Sequence, residues 1–540
     1  MKTLLTLLLL LTLPCIVVNA GVNKPGSLFD IKHYTFSINI NDTTDLIRCS
    51  AVIDLTIKEN TNSISLDLKN LDSNGTGMVV SSVTVGGSAA TWKHQSDRLE
   101  IIPSSPFLQG SDAGLVIEYS GIPRDGLIIS VNRFGERTFF SDNWPDRASN
   151  YLPVVDHPAE KATVDFMITA PEHYKVVANG YLIEESRLPG NLVITHWKEE
   201  VPLPVKVMAF AAAPFAVRLA GNAGTVPVWT WVFSGNREEG FSDYSVAVKP
   251  VAFYSSLIGP YPFEKLANVQ SKTIFGGLEN AGCIFYAENS VTGQGKAEGL
   301  IAHEIAHQWF GNSVTETEWY HIWLSEGFAT YLTNVYFEKT YGENDFRERM
   351  VADRNRVLRG RGKAPVPVID TTVTNLMSLL NPSTYQKGGW VLHMLRNDLG
   401  DDLFWKGMRL FYSRYRNRNA GTSDFRKVME EVSKKDLSKF FYQWLYIPGE
   451  PDLKISSSPG PGRGMRRISI EQTQNYLYTF TIDLRVEEAG KTRIIRVPVK
   501  DKITHVDVKD GGNFRITADP EVKLFFRDMD NPPLNQRPRN

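Results

Sequence analysis

Alternating apolar and polar residues dominate the first part of the chain, from Lys32 to about Arg218. Two clear examples are the segments 34–40 and 51–57, and turn residues separate such runs from one another. A period of two residues is typical of strands that bury one face. This part of the sequence therefore predicts a β domain.

The period lengthens between Glu239 and Pro448. Apolar residues recur there at intervals of three and four, as an amphipathic helix requires, and Gly342 ends the clearest run. That run comprises Phe328, Tyr331, Leu332, Val335 and Tyr336. The pattern predicts a mainly helical domain.

A stretch of serine, proline and glycine at 456–462 interrupts the chain, and alternating segments return at 478–486 and 492–499. They predict a small β domain at the C-terminal end. Taken together, the patterns predict a multidomain α+β protein. We place its domains at 21–218, 219–450 and 451–540.

The first twenty residues have the pattern of an export signal. Lys2 precedes an apolar run from Leu4 to Val18, and Ala20 provides a small residue for cleavage. A transmembrane anchor is the alternative, but a run of about 15 residues is short for the ~30 Å hydrocarbon core. We therefore predict a signal peptide over 1–20, a periplasmic or extracellular location, and no stable membrane span after cleavage.

Composition narrows the function classes. The 540 residues include 42% hydrophobic and 22% charged residues, which is ordinary for globular domains and argues against overall disorder. With 59 basic and 60 acidic residues there is no net field to attract nucleic acid, so we predict no such partner. Beyond the signal only Cys49 and Cys283 remain, which excludes a disulfide scaffold; we expect both thiols to be free.

The candidate chemistry lies in the helical middle, where residues 303–307 read His-Glu-Ile-Ala-His. Histidines at i and i+4 lie on one helix face, so His303 and His307 can reach one metal ion. Glu304 is rotated by about 100° from His303 and is better placed to accept a proton. The alternative is a chance match on an amphipathic helix, with no metal.

A hydrolytic zinc site needs a third protein ligand and one open position. Glu326 is a candidate ligand, because it opens the next helical run and would complete a His₂Glu set. The alternative for Glu326 is a first-turn carboxylate that the helix dipole favours.

These motifs resemble the M1 family of metallo-aminopeptidases. His303-Glu304-x-x-His307, then eighteen residues, then Glu326, is similar to its zinc signature. Residues 276–280, Gly-Gly-Leu-Glu-Asn, resemble its exopeptidase motif G-[AG]-M-E-N, with Leu278 in place of methionine. The resemblance extends through segments 156–162, 307–312, 319–326, 384–389 and 440–445, and so covers most of the chain.

The resemblance implies an architecture and a set of roles. It implies an N-terminal β saddle, a thermolysin-like catalytic domain and a C-terminal β-sandwich-like domain. One Zn²⁺ per chain would bind His303, His307 and Glu326, with Glu304 as general base on the zinc-bound water and Tyr385 as hydrogen-bond donor to the oxyanion.

The exopeptidase motif carries the implied substrate contacts. Glu279 would pair with the free α-amino group of a peptide, while Gly276, Gly277 and Asn280 belong to the same substrate-binding segment. The implied partners are therefore peptides with a free N-terminus. The residue preference and the oligomeric state stay open.

The sequence departs from the family pattern at two places. Where members often place a second Gln or Glu near the substrate amine, this chain has Asp142 followed by Asn143, and either one is the counterpart. Many members also carry a large helical domain that closes over the site, and we expect this protein to be a form without it.

The sequence leaves three candidate functions. The first is a zinc aminopeptidase that removes N-terminal residues from peptides. The second is epoxide hydrolysis of the leukotriene A4 hydrolase kind, because Gly276-Gly277 resembles that form of the motif. The third is a non-catalytic peptide-binding member, which would be expected to lack a ligand or the base.

Overall fold

The computed structural model describes residues 27–359, 365–488, 491–512 and 514–530. The signal peptide predicted at 1–20 lies outside the described residues. Within them, no helix combines the length and the apolar composition needed to cross a bilayer.

The N-terminal region is built from strands, as the alternating pattern predicts. In the first strand Tyr34, Phe36 and Ile38 are buried on one face, while the residues between them are partly exposed. The strands of this region are β1 (Phe29–Asn39), β2 (Ile47–Ile57), β3 (Ile64–Asp67), β4 (Gly77–Val85), β5 (Ser88–Ala89), β6 (Thr91–Gln95), β7 (Arg98–Ile102), β8 (Asp112–Ile122), β9 (Leu127–Val131), β10 (Arg137–Ser141), β11 (Lys161–Pro171), β12 (Lys175–Ala178), β13 (Tyr181–Leu188), β14 (Leu192–Pro204) and β15 (Phe210–Ala213).

These strands form three sheets. An eight-stranded sheet has the order β13-β14-β11-β1-β2-β8-β4-β5, in which β1 and β11 are parallel. A four-stranded sheet has the order β12-β15-β10-β9, and a three-stranded sheet the order β3-β7-β6. The loop after β10 carries Asp142 and Trp144 towards the next domain.

The middle region combines a mixed sheet with helices. Its strands are β16 (Phe215–Ala223), β17 (Val226–Phe233), β18 (Leu266–Ser271), β19 (Gly277–Leu278), β20 (Cys283–Ala287), β21 (Val314–Glu316) and β22 (Arg418–Ala420). Its α-helices are α1 (Arg237–Asp243), α2 (Val248–Leu257), α3 (Glu298–His307), α4 (Trp323–Tyr341), α5 (Glu343–Arg359), α6 (Gly388–Leu399), α7 (Asp401–Tyr415), α8 (Thr422–Ser433) and α9 (Ser438–Phe441). A π-helical turn, Ser383–Lys387, leads directly into α6. A second one, Tyr442–Tyr446, directly follows α9.

Strands β16 to β20 form one five-stranded sheet in the order β16-β17-β18-β20-β19. Helix α4 ends at Tyr341 and is followed by Gly342 with φ of 97°, a backbone conformation that glycine favours, so the predicted stop is confirmed. The three strands β18, β19 and β20 were not predicted, because we expected the region after Glu239 to be mainly helical.

The C-terminal region returns to strands. They are β23 (Asp452–Pro459), β24 (Met465–Gln472), β25 (Phe480–Glu488), β26 (Lys491–Val499), β27 (Ile503–Lys509), β28 (Arg515–Ala518) and β29 (Arg527–Asp528). They form two sheets, β27-β24-β23-β29 and β26-β25-β28. The α+β class and the three regions agree with the sequence prediction, although the proposed boundary at 218 falls inside β16.

Both cysteines in the described residues are free and buried, as expected. Cys49 lies in β2 of the N-terminal region and Cys283 in β20 of the middle region. Burial raises the pKa of both thiols, that of Cys283 to about 11.

Candidate metal centre and its cleft

Helix α3 brings two histidine side chains to one point. The Nε2 atoms of His303 and His307 lie 3.2 Å apart, as their i, i+4 spacing on one helix face predicts. The other ring nitrogen of His307, Nδ1, lies 3.3 Å from the Phe310 carbonyl oxygen and 3.0 Å from Ser325 Oγ. A proton on Nδ1 is thus held by an acceptor, which leaves the Nε2 lone pair free to bind a metal.

Helix α4 supplies the third group. Its first turn contains Glu326, whose Oε2 is 3.5 Å from His303 Nε2 and 3.3 Å from His307 Nε2. The carboxylate is buried, and Oε2 accepts no hydrogen bond from the residues that the structure describes. The two histidines lower the pKa of Glu326 against the opposing effect of burial.

These three groups fit a zinc ion. Two ligand atoms at about 2.05 Å from a tetrahedral zinc are about 3.3 Å apart, and the separations of 3.2, 3.3 and 3.5 Å match this value. The set of two imidazoles and one carboxylate is also the donor type of hydrolytic zinc sites. His303, His307 and Glu326, which the sequence analysis singled out, are therefore brought together as one candidate zinc site.

Glu304 points from α3 into the same cleft and is 5% exposed. Burial, together with the nearby Glu279 and Glu326, raises the pKa of Glu304 well above its usual value. A carboxylate in this environment is a stronger base than one in water, which suits a group that accepts a proton during a reaction.

Tyr385 lies on the π-helical turn that precedes α6, and turns of this kind are frequent at functional sites. Its ring is parallel to the His303 imidazole, with the ring centres 6.0 Å apart. Burial and the nearby carboxylates raise the pKa of Tyr385 well above its usual value, so its hydroxyl keeps the proton. Tyr385 is therefore a hydrogen-bond donor beside the metal centre.

The short strand β19 forms the opposite wall of the cleft. Gly277 pairs with Tyr286 of β20, and a Cβ atom on Gly277 would lie 2.3 Å from Glu304 Oε1. Glycine is therefore required at 277, because any side chain would displace the carboxylate of Glu304. Gly276 also lines the cleft.

Glu279 follows this strand and is held by its backbone. Its carbonyl oxygen accepts hydrogen bonds from Gln308 Nε2 at 3.0 Å and Asn312 Nδ2 at 2.6 Å. The side chain lines the cleft and is 5% exposed, and none of the described residues donates a hydrogen bond to its Oε1. Burial raises the pKa of Glu279, while His307 opposes this effect.

Asp142 and Asn143, the other predicted substrate contacts, have buried side chains that bind to neighbouring segments of the protein. Asp142 is fully buried and accepts hydrogen bonds from Thr273 Oγ1 at 2.9 Å and the Ile274 amide at 3.1 Å; it also pairs with Arg147. Its carboxylate thus holds the segment that leads to Gly276. Asn143 donates to the Met208 carbonyl oxygen at 2.7 Å.

Asn280 is 1% exposed, and neither of its side-chain amide atoms has a hydrogen bond in the described part of the chain. The described residues that line the cleft do not include Asp142, Asn143 or Asn280.

Trp144 lines the cleft, although the sequence analysis did not select it. Its ring packs edge-on against Phe275 and Trp319, at 5.9 Å between ring centres in both cases. The signal in the sequence was its position two residues after Asp142, where the family pattern already directed attention to the substrate amine.

The cleft has a volume of about 610 Å³, within the usual range for small-ligand sites. Beyond the metal centre it continues between α3, α4 and α5. The sequence analysis missed this extension, which Leu300, Thr330, Asn334, Arg349, Asp353 and Arg356 line.

Comparison with known proteins gives two family matches. Residues 244–444 match the model described as the peptidase family M1 domain. Residues 31–205 match the peptidase M1 N-terminal domain. The two ranges together cover more than half of the chain.

Curated relatives are similar over most of the chain. The probable aminopeptidase 2 of Sulfurisphaera tokodaii is 26% identical over 472 residues, which are 83% of this chain and 57% of that protein. Human glutamyl aminopeptidase is 27% identical over 416 residues, 72% of this chain and 43% of that protein. The chain thus spans about half the length of the curated relatives it matches.

A solved structure shows the same fold. The M1 zinc metallopeptidase from Deinococcus radiodurans has a TM-score of 0.68 and 23% identity, over 78% of this chain and 95% of that one. A mutant of that enzyme has been crystallised with a Tyr-Ser-Ala substrate.

Proposed function

This chain belongs to peptidase family M1, and on that premise we propose that it is a zinc aminopeptidase that removes the N-terminal residue from peptides. The observation that carries the proposal is the convergence of His303, His307 and Glu326 with Glu304 and Tyr385 in one cleft. A non-catalytic member would be expected to lack a ligand or the base, and the described residues include all of them.

A zinc ion bound by the three ligands supplies Lewis-acid chemistry, which polarises a carbonyl group and lowers the pKa of water towards about 7. Glu304 takes the proton from the attacking water and returns it to the departing amine. Tyr385 donates a hydrogen bond to the carbonyl oxygen as negative charge develops there.

Glu279 fixes the position of the cut. Its buried Oε1 has no hydrogen bond in the described part of the chain, so a charged α-amino group would provide the partner that it lacks. Pairing at this point places the first peptide bond, rather than an internal one, beside Glu304. An N-acetylated peptide lacks the positive charge and is expected to be a poor substrate.

The test is the hydrolysis of peptides by the wild type and by Glu304→Gln. We expect Glu304→Gln to lower kcat by about 10²–10⁴-fold and to keep one zinc per chain, as measured by elemental analysis. Glu298→Gln on the same helix is the matched control and should keep its activity, because Glu298 does not line the cleft. Full activity of Glu304→Gln, or equal cleavage of free and N-acetylated peptides, would contradict the proposal.

We further propose that the protein is exported to the periplasm or outside the cell. The support is the charged start, apolar run and small-residue end of the first twenty residues. N-terminal sequencing of the protein from its natural source should begin at Gly21. A protein that still begins at Met1 would contradict this proposal.

A further inference from the structure

One face of α5 borders the part of the cleft that lies beyond the metal centre. Arg349, Asp353 and Arg356 all line the cleft. Their spacing of four and then three residues puts them on the same side of the helix. Two guanidinium groups and one carboxylate thus face the space that a bound peptide would enter.

Arg349 is held in a fixed orientation. Its Nε donates to Asp345 Oδ2 at 2.6 Å, and its guanidinium lies 3.4 Å from the centre of the Phe337 ring. The terminal nitrogens make no hydrogen bond with the described residues. Since a guanidinium carries five N–H donors in a planar fork, this arrangement leaves an ordered edge for a second acceptor.

Arg356, in contrast to Arg349, is not held in place by a described side chain. Its side chain is exposed, and it makes no hydrogen bond or salt bridge within the described part of the chain. Asp353, one turn before it, accepts a hydrogen bond from Asn334 Nδ2 at 2.8 Å. The carboxylate of Asp353 is therefore tied to α4, and Arg356 is open to a ligand.

Resting on the aminopeptidase function above, we propose that Arg349 and Arg356 bind the C-terminal carboxylate of the substrate. The cleft would then select short peptides with a free C-terminus. Paired guanidinium groups suit a carboxylate, because each can donate two parallel N–H bonds to its oxygens.

Helix α4 sets the length of the peptide. It runs from the ligand Glu326 to Asn334, the partner of Asp353, which is eight residues or about 12 Å along the helix axis. An extended peptide advances by about 3.4 Å per residue, so about three or four residues reach from the metal centre to the level of Asp353, which lies between the two arginines along α5. Peptides of about four or five residues should therefore span the cleft.

The distribution of charge agrees with this assignment. Glu279, Glu304 and Glu326 lie around the metal centre, whereas α5 brings two arginines and one carboxylate, Asp353, to the cleft. A short peptide carries its positive charge at the N-terminus and its negative charge at the C-terminus. Its two ends thus match the two ends of the cleft.

The experiment compares one tetrapeptide as the free acid and as the C-terminal amide. In the wild type we expect kcat/KM to be about tenfold to hundredfold higher for the acid, the range for a hydrogen-bonded charge pair. Arg349→Gln and Arg356→Gln should each reduce this acid-to-amide ratio, and the double variant should bring it near one. Arg359→Gln, at the exposed end of the same helix, should keep the wild-type ratio.

A binding measurement gives a readout that does not depend on turnover. Isothermal calorimetry with Glu304→Gln should show tighter binding of the acid than of the amide by the same factor, and added salt should reduce the difference. If peptides are cleaved but the acid and the amide are equal in rate and in affinity, the carboxylate site is refuted while the aminopeptidase function stands. If neither peptide is cleaved by the wild type, the proposed function fails; unequal binding would still support the carboxylate site, and equal binding would refute it.

Discussion

The carboxyl group of Glu279 lies in the same cleft as that of Glu326, but its surroundings differ. Glu326 has two imidazoles beside it, whereas Oε1 of Glu279 is buried with no hydrogen bond from the described residues. Leaving a buried charged oxygen without a partner is costly. Gln308 and Asn312 nevertheless hold the backbone of Glu279 in place. This arrangement is consistent with a hydrogen-bond partner for Oε1 that arrives with the substrate.

Glu279→Gln tests that interpretation. The amide keeps the shape but not the charge, so we expect kcat/KM for a free-amine peptide to fall by about tenfold to hundredfold, since a charged hydrogen bond contributes about 1.5–3 kcal/mol. The preference over the N-acetylated peptide should fall with it, while the zinc content stays the same. An unchanged preference for free amines would show that another group recognises the N-terminus.

At this scale the sequence singled out the three candidate zinc ligands and Glu304, because they belong to short motifs on two helices. Residues that the fold brings in from other segments were harder to predict. The family pattern pointed to Asp142 or Asn143 beside the substrate amine, and in the structure the carboxylate of Asp142 pairs with Thr273, Ile274 and Arg147. Trp144, two residues later, lines the cleft instead.

At the scale of elements, the site depends on a close crossing of α4 with the start of α6. A Cβ atom on Gly327 would lie 3.0 Å from Cα of Gly388 and 3.1 Å from the Thr384 carbonyl oxygen. Gly327 follows the ligand Glu326, and Thr384 precedes Tyr385. The contact between two glycines therefore sets the distance between a metal ligand and the hydrogen-bond donor.

Gly327→Ala should separate these elements. We expect a loss of about 1–3 kcal/mol in the free energy of unfolding, as for other overpacked sites, together with a lower kcat. Gly389→Ala is the matched control, because a Cβ there meets its neighbours at 3.4–3.5 Å and needs little adjustment. Equal stability and activity of the two variants, measured by urea denaturation and peptide hydrolysis, would contradict the assignment.

Elements with a clear period were predictable, and elements without one were not. Strands such as β1 and the long helix α4 follow their hydrophobic patterns. In β18 all six residues are buried, including Asn268 and Gln270, so no alternation marks this strand. The π-helical turns span only five residues each, which is too short for a periodic signal.

At the scale of the whole molecule, the N-terminal region holds the catalytic one by buried polar contacts. Lys206 forms a salt bridge with Glu316, and their side chains are 1% and 0% exposed. Lys161 donates to the carbonyl oxygen of Ser313 at 2.8 Å, and Asn179 donates to that of Ala281 at 2.7 Å. These contacts fix the segments that flank α3 and β19.

Lys206→Met tests how much the buried salt bridge contributes to stability. Glu316 would keep a buried charge without its partner, so we expect a loss of about 3–5 kcal/mol in the free energy of unfolding. The double variant Lys206→Met with Glu316→Leu should recover most of the loss, because neither charge of the pair remains. Lys198→Met is the control, because Lys198 is only half-buried and its partner Glu200 is exposed. A Lys206→Met variant as stable as the wild type would contradict the prediction.

A second buried acid at this junction makes stability depend on pH. Burial, with the nearby Glu264, raises the pKa of Glu199 to about 8 from a reference value of 4.5. Because the folded state binds this proton more tightly than the unfolded state, the stabilisation is complete below about 4.5 and is lost as the pH rises through about 8.

Glu199→Gln removes that dependence. Between pH 5 and 8 the stability of the variant relative to wild type should rise by about 1.4 kcal/mol per pH unit. Urea denaturation at each pH measures the difference, and Glu200→Gln, whose side chain is exposed, should run parallel to the wild type. A constant difference between Glu199→Gln and wild type across this range would refute the assignment.

The two buried thiols have a use that follows from their positions. Cys49 lies in the core of the N-terminal region and Cys283 in the sheet beside the active site, and the raised pKa of each keeps it in the unreactive protonated form. An alkylating reagent added for a short pulse therefore modifies each cysteine only when its own domain opens. Peptide mapping after such pulses would record, in one sample and without added probes, the order in which the two domains unfold.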